Sequence, residues 1–194
     1  SFFLSTIYHY IPKSVDSGLV ISELIKYPAH PSLMKEYFLT SFTLINFFSA
    51  AILKISNSIF LTSKIIIFLN TFLLSLGFLY LIFGITRSKL LSSFITIIIL
   101  FLEIKSGSGD YPTLYFSEHI YGSFSFSIFT IFLGSFLLKK FTLSGFTLGI
   151  FFTIHPVTSV WLFLHFLILI FFFKIKKISV LNKSFFVGLF LGLF

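Results

Sequence analysis

Most of this chain shows no alternation of apolar and polar positions: whole stretches are apolar on every side. The clear apolar runs cover roughly 65–85, 90–104, 120–138, 141–154 and 157–173, and another opens at 185. A helix rises about 1.5 Å per residue, so the run 65–85 is long enough for a hydrocarbon core of about 30 Å. The runs 90–104 and 141–154 are short and must recruit flanking Ser, Thr and Gly. Short helices of that kind are found where a membrane protein lines a cavity instead of facing lipid. The pattern predicts an all-α protein, a polytopic transmembrane bundle forming a single domain over 1–194.

One segment is patterned differently. Over 37–53 the polar residues Glu36, Thr40, Thr43 and Asn46 recur every three or four positions, which draws one wet stripe along a helix. Such a helix lies in the membrane interface. It then belongs to an external stretch, 1–64, that precedes the first span. Reading 37–53 as a further span would instead put the N-terminal 36 residues inside. Two small-xxx-small pairs, Gly145 with Gly149 and Gly188 with Gly192, mark places where helices can pack closely. No longer internal repeat and no domain linker is visible.

Composition identifies the solvent. Hydrophobic residues make up 57% of the 194 positions and charged residues 10%, with a mean hydropathy of +1.06. A water-soluble fold has too little polar surface here to cover itself. Phe alone contributes 32 residues; with abundant Ile, Leu, Ser, Lys and Asn, this is the bias of an AT-rich coding sequence, and no aromatic function is argued from it. The absence of Cys removes disulfides, thiolate metal sites and Cys nucleophiles. The chain opens on Ser1 and stops inside an apolar run, so a longer protein is expected, with Ser1–Tyr8 resembling the last turns of an earlier membrane helix.

The net charge of +8 is spread between apolar runs and not gathered into one stripe, so nucleic acid is not an expected partner; the lipid bilayer is. Arg87 and Lys89 share one connection, Lys139 and Lys140 a second, and Lys174, Lys176, Lys177 and Lys183 a third. These alternate with two connections poor in basic residues, 103–119 and the turn at His155-Pro156. Basic connections face the cytoplasm, which places 103–119 and 155–156 outside. The external side then collects Asp16, Glu23, Glu36, Glu103, Asp110 and Glu118, along with His9, His30, His119 and His155. Carboxylates and imidazoles gathered on one face beside short helices mark that face as the place for chemistry. Each has a plainer role open to it: a solvated loop charge for the acids, snorkelling for Glu103, a helix-end turn for His155, an interhelical hydrogen bond for His165.

In this order of elements the chain resembles the GT-C class of membrane glycosyltransferases. The run Val15-Asp16-Ser17-Gly18-Leu19-Val20-Ile21-Ser22-Glu23 falls where that class carries the acidic motif of its first external loop. Tyr27-Pro28-Ala29-His30-Pro31 and the helix 37–53 look like the rest of that loop, and Glu118-His119 stands in the place of a second acidic motif. The turn His155-Pro156-Val157 after Gly145-xxx-Gly149 is similar too. Two departures are plain: Asp16 is followed by Ser17 where many families have a second carboxylate, and Glu-His replaces Asp-Pro or Asp-x-Asp.

The resemblance implies sugar transfer from a polyprenyl-phosphate donor to an acceptor on the external face. A multi-pass protein of a bacterial inner membrane, with its site toward the periplasm, is the expected setting. It makes Asp16 the base and gives Glu118 a catalytic role. His119, His155, Lys105 and His30 would bind substrate, the phosphate included. A divalent cation, held by Asp16 and Glu118, is compatible with it. The competing readings are a transporter or lipid flippase, and a membrane subunit without chemistry. Mid-span polar residues are few, Asn70 and His165, which favours the enzyme over a transport pathway.

Overall fold

The computed structural model describes residues 13–22, 43–105, 120–154, 156–172 and 183–193. Apart from short turns, these residues are helical: α1 (Lys13–Ile21), α2 (Leu44–Ser56), α3 (Ile59–Thr86), α4 (Lys89–Lys105), α5 (Ile120–Leu137), α6 (Phe141–Ile154), α7 (Pro156–Phe172) and α8 (Lys183–Leu193). The all-α expectation therefore holds over the described residues. Among them, α3 is the one helix long and apolar enough to cross a membrane. Its 28 residues extend about 42 Å. The helix α6, at 14 residues, reaches only about 21 Å.

Three boundaries differ from the sequence reading. The first long helix starts at Ile59, six residues before the apolar run at 65, because Ser58 caps it: the Leu61 amide donates to Ser58 Oγ at 3.2 Å. Residues 13–21, read as external loop, form the helix α1, so Asp16 stands on a helix. Where a helix is expected over 37–53, the described helix is Leu44–Ser56, and residues 37–42 lie outside the described residues.

The chain forms two compact units, residues 1–72 with 109–123, and residues 73–108 with 124–194. In the first, α1 packs on α2. A Cβ placed on Gly18 would come 3.0 Å from Ala50 N, 3.0 Å from Ser49 Cβ and 3.1 Å from Leu53 Cδ1. The α2 face turned inward consists of Ile45, Asn46, Ser49, Ala50 and Leu53, while Leu44, Phe47 and Phe48 are exposed. Of the expected wet stripe, Glu36 and Thr40 lie outside the described residues. Asn46 is on the packed face with Ser49 and Ala50, where small and polar side chains let two helices approach.

In the second unit, contacts at glycines give the directions of the helices. A Cβ on Gly77 would strike Thr130 Oγ1, one on Gly84 would lie 2.8 Å from Leu137 Cβ, and one on Gly134 would lie 2.7 Å from Tyr80 Cβ. Residue numbers rise together along α3 and α5, so the two helices run parallel. The same holds for α6 and α8, where Gly145 lies against Phe185 and Leu189, and Gly149 against Leu189 and Gly192. Between them, α5 and α6 form an antiparallel hairpin closed by a Ser135–Ser144 hydroxyl hydrogen bond of 2.8 Å. Phe132, Leu148, Phe166 and Phe185 form the core that joins α5, α6, α7 and α8. There Phe166 meets Phe132 edge-on at 5.8 Å and stacks on Phe185 at 5.7 Å.

Burial across the described residues is mixed: an apolar core that includes Ile66, Ile67, Leu74, Phe124 and Leu148 coexists with buried hydroxyls and exposed apolar side chains. Ser92, Thr96, Ser125, Ser127, Thr130, Ser135, Ser144, Thr147 and Ser159 are buried, whereas Phe60, Leu90, Phe94, Trp161, Phe190 and Leu191 are exposed. The helix α4 shows it most plainly, with Ser92 and Thr96 inward and Leu90, Leu91, Phe94, Ile97, Ile98 and Phe101 outward.

Candidate functional site

The proposed chemistry rests on carboxylates and imidazoles, and the described backbone locates only part of it. Asp16 stands on α1 between Val15 and Ser17, both fully buried against the α1–α2 pair. Lys105 is the last residue of α4. The side chains of Asp16 and Lys105, and the whole of His30, Glu118, His119 and His155, lie outside the described residues. The described structure therefore neither brings the six candidates together nor separates them. Among the described residues no group of His, Cys, Asp and Glu is placed to hold a metal.

The helix ends bordering the candidate residues are described, and in the second unit they sort by charge. The Arg87 guanidinium donates through Nη2 to the Leu137 carbonyl at 2.8 Å, tying the end of α3 to the end of α5. A cation on an unpaired C-terminal carbonyl is favourable, since helix carbonyls carry partial negative charge there. Lys140, at the start of α6, donates to the Tyr80 hydroxyl at 3.3 Å and lies 4.9 Å from the centre of its ring. Lys183 opens α8, which runs parallel to α6, so it starts from the same end. All three basic connections thus meet one end of this unit. The C-terminal end of α6, next to His155, lies at the opposite end, as does the N-terminal end of α5, which follows Glu118-His119.

The turns at this basic end have a local logic that sequence pattern alone did not reveal. Arg87 and Lys139 adopt left-handed backbone conformations, with φ of 58° and 59°. Arg87 N–H donates to Phe83 O, and Lys139 N–H to Phe136 O, each at 2.9 Å. The turn before α4 repeats the turn before α3. In one, Ser56 Oγ reaches Thr62 Oγ1 at 3.1 Å across Asn57-Ser58; in the other, Thr86 Oγ1 reaches Ser92 Oγ at 3.3 Å across Arg87-Ser88. Asn57 is also left-handed, with φ of 50°. The shared signal is a hydroxyl residue, a left-handed residue, a capping Ser and a second hydroxyl four residues later.

The buried hydroxyls largely serve the helices that carry them. Thr130 donates to Ser127 O at 2.8 Å, Ser135 to Phe132 O at 2.9 Å and Thr147 to Leu143 O at 2.9 Å. Self-satisfied hydroxyls of this kind tighten helix contacts at little polar cost. Four others, on Thr43, Ser63, Thr96 and Ser125, are buried without a hydrogen-bond partner.

No protein-family model, curated protein or solved structure matches the chain.

Proposed function

We propose that this chain is a multi-pass membrane bundle of GT-C-like type, which moves a sugar from a lipid-phosphate donor to an acceptor on the external face. The observation that supports it is the sorting of helix ends. Cations collect at one end of the second unit, and the helix termini adjoining Glu118-His119 and His155 lie at the other. A bilayer that holds the basic end in the cytoplasm would present the acidic and imidazole connections outside, in a bacterial cell toward the periplasm. The exposed apolar and buried polar side chains support lipid as the surrounding solvent.

In this reading Asp16 removes the acceptor proton as the acceptor oxygen attacks the sugar, and the phosphate leaves with the bonding pair. Glu118 and His119 orient the acceptor, and His155, Lys105 and His30 are drawn to the phosphate. A divalent cation, where one is used, would be held by Asp16 and Glu118 and would neutralise the leaving phosphate.

The test has two arms in the intact protein. The chain has no Cys, so single Cys residues at Ser108 and Ser179 report cleanly with a membrane-impermeant thiol reagent. Position 108 is expected to label from outside and 179 to be protected; the reverse overturns the orientation. Transfer from a polyprenyl-phosphate sugar should then fall about 10²–10⁴-fold in Asp16→Asn. A variant that keeps full transfer sinks the assignment of the base. Lipid movement across vesicles with no sugar transfer would point to a flippase instead.

A further inference from the structure

From the gathering of cations at one end of the second unit we infer a binding surface for anionic phospholipid headgroups. It is built by Arg87, Lys89, Lys139, Lys140 and Lys183. The inference rests on the membrane reading above and adds a partner to it.

These five residues come from three connections far apart in sequence, and the fold brings the connections to one level. Arg87 is fixed to the end of α5 through Leu137 O, and Lys140 is fixed to α3 through Tyr80. Lys183 and Lys140 each precede by five residues the glycine at which their helices touch, Gly188 and Gly145, so the two lysines start parallel helices at matching heights. Lys89, Lys139 and Lys183 are exposed.

Nothing carried by these helices neutralises the cluster. No Asp or Glu occurs in α3, α5, α6 or α8, and none stands in the first turn of α4, α6 or α8. The single carboxylate of α4, Glu103, is fourteen residues beyond Lys89, about 21 Å along the helix. Moreover α4 and α8 begin on a lysine and α6 directly after one, where the helix dipole disfavours a cation. An anionic surface resolves that mismatch. Phosphate oxygens offer acceptors to Arg and Lys together, and the bordering side chains Leu90, Leu91 and Phe186 are exposed and apolar, suited to acyl chains. A free phosphate would use the cations and ignore the apolar border, so the surface fits a lipid.

The experiment uses purified full-length protein reconstituted into vesicles of phosphatidylcholine alone or with phosphatidylglycerol. Retained lipid is measured by native mass spectrometry, with inorganic phosphate as a competitor. Phosphatidylglycerol is expected to be retained selectively, and the triple variant Lys89→Gln, Lys139→Gln, Lys183→Gln should reduce that retention about a hundredfold, at about fivefold per charge. These side chains are exposed, so the variant should still fold; Lys54→Gln, in the first unit, should leave retention unchanged. Equal retention of both lipids, an unchanged triple variant, or displacement by millimolar phosphate would overturn the proposal. Release of the protein from membranes by alkaline carbonate would instead overturn the membrane reading on which it rests.

Discussion

The contact between α6 and α8 makes a prediction whose sign is informative. Gly145→Ala adds one carbon to a helix interior, where propensity alone would stabilise by about 0.8–1 kcal/mol. Here that carbon would overlap Phe185 O and lie 2.7 Å from Leu189 N and 3.0 Å from Phe185 C. All three are backbone atoms, so no rotamer change relieves the clash and the helices must separate. The reciprocal site behaves alike, since a Cβ on Gly188 would overlap Thr142 O and lie 2.9 Å from Phe146 N.

Opening a packed contact by about 0.5–1 Å forfeits a quarter to a half of each dispersion interaction across it. Phe185 belongs to the core with Phe132, Leu148 and Phe166, so the loss reaches beyond the glycine. Overpacking of this kind costs about 1–3 kcal/mol. For a chain of this length that corresponds to a fall in melting temperature of about 2–12 °C. The assay is thermal unfolding of the purified protein in a mild detergent, for Gly145→Ala, Gly188→Ala and the double variant. Because both carbons enter one interface, the double variant should fall by less than the sum of the two. A melting temperature that is unchanged or raised in Gly145→Ala would refute backbone contact between these helices.

Three further outcomes follow from named contacts. A double-mutant cycle with Ser135→Ala and Ser144→Ala should give a coupling of about 0.6 kcal/mol for their hydroxyl bond in the same unfolding assay. Ser88→Ala removes the acceptor for the Leu91 amide, 3.3 Å away, and should cost about 1 kcal/mol; Ser58→Ala should do the same at the repeated turn. Lys139→Gly relieves a left-handed residue and should raise stability by up to about 1 kcal/mol, while lowering phosphatidylglycerol retention about fivefold.

The helices were legible from sequence where one physical signal dominated. Over 141–154 a run free of charged residues ends at His155-Pro156, and α6 has those limits. The glycine pairs were read as close packing, and the backbones of α6 and α8 do meet there. The start of α3 was missed because its cap is a single Ser preceded by a left-handed Asn, a signal that apolarity does not register. The direction in which Asn46 faces on α2 was not legible, for a deeper reason. Periodicity finds the face on which polar residues lie, but whether that face turns outward or inward depends on the solvent. Here Asn46 and Ser49 lie between helices, while Phe47 and Phe48 lie outside.

The same reasoning explains why the candidate site was less legible than the fold. Helix pairing here depends on residues that repeat at helical spacing and touch their neighbours directly, so the sequence carries the pairing locally. The proposed chemistry instead depends on Asp16 meeting Glu118 about a hundred residues later, and no spacing rule encodes such a meeting. What the helices do constrain is which connections share an end of the second unit. The parallel pairs α3 with α5 and α6 with α8, together with the α5–α6 hairpin, leave little freedom: Arg87, Lys140 and Lys183 must share an end, and the termini beside Glu118 and His155 must share the other. A sugar-transfer site built from Glu118-His119 and His155 therefore requires Asp16 to reach that second end. An external label on Cys at Ser14, two residues before Asp16, is the expected result; labelling only from the cytoplasmic side would separate Asp16 from the other candidates and end the shared site.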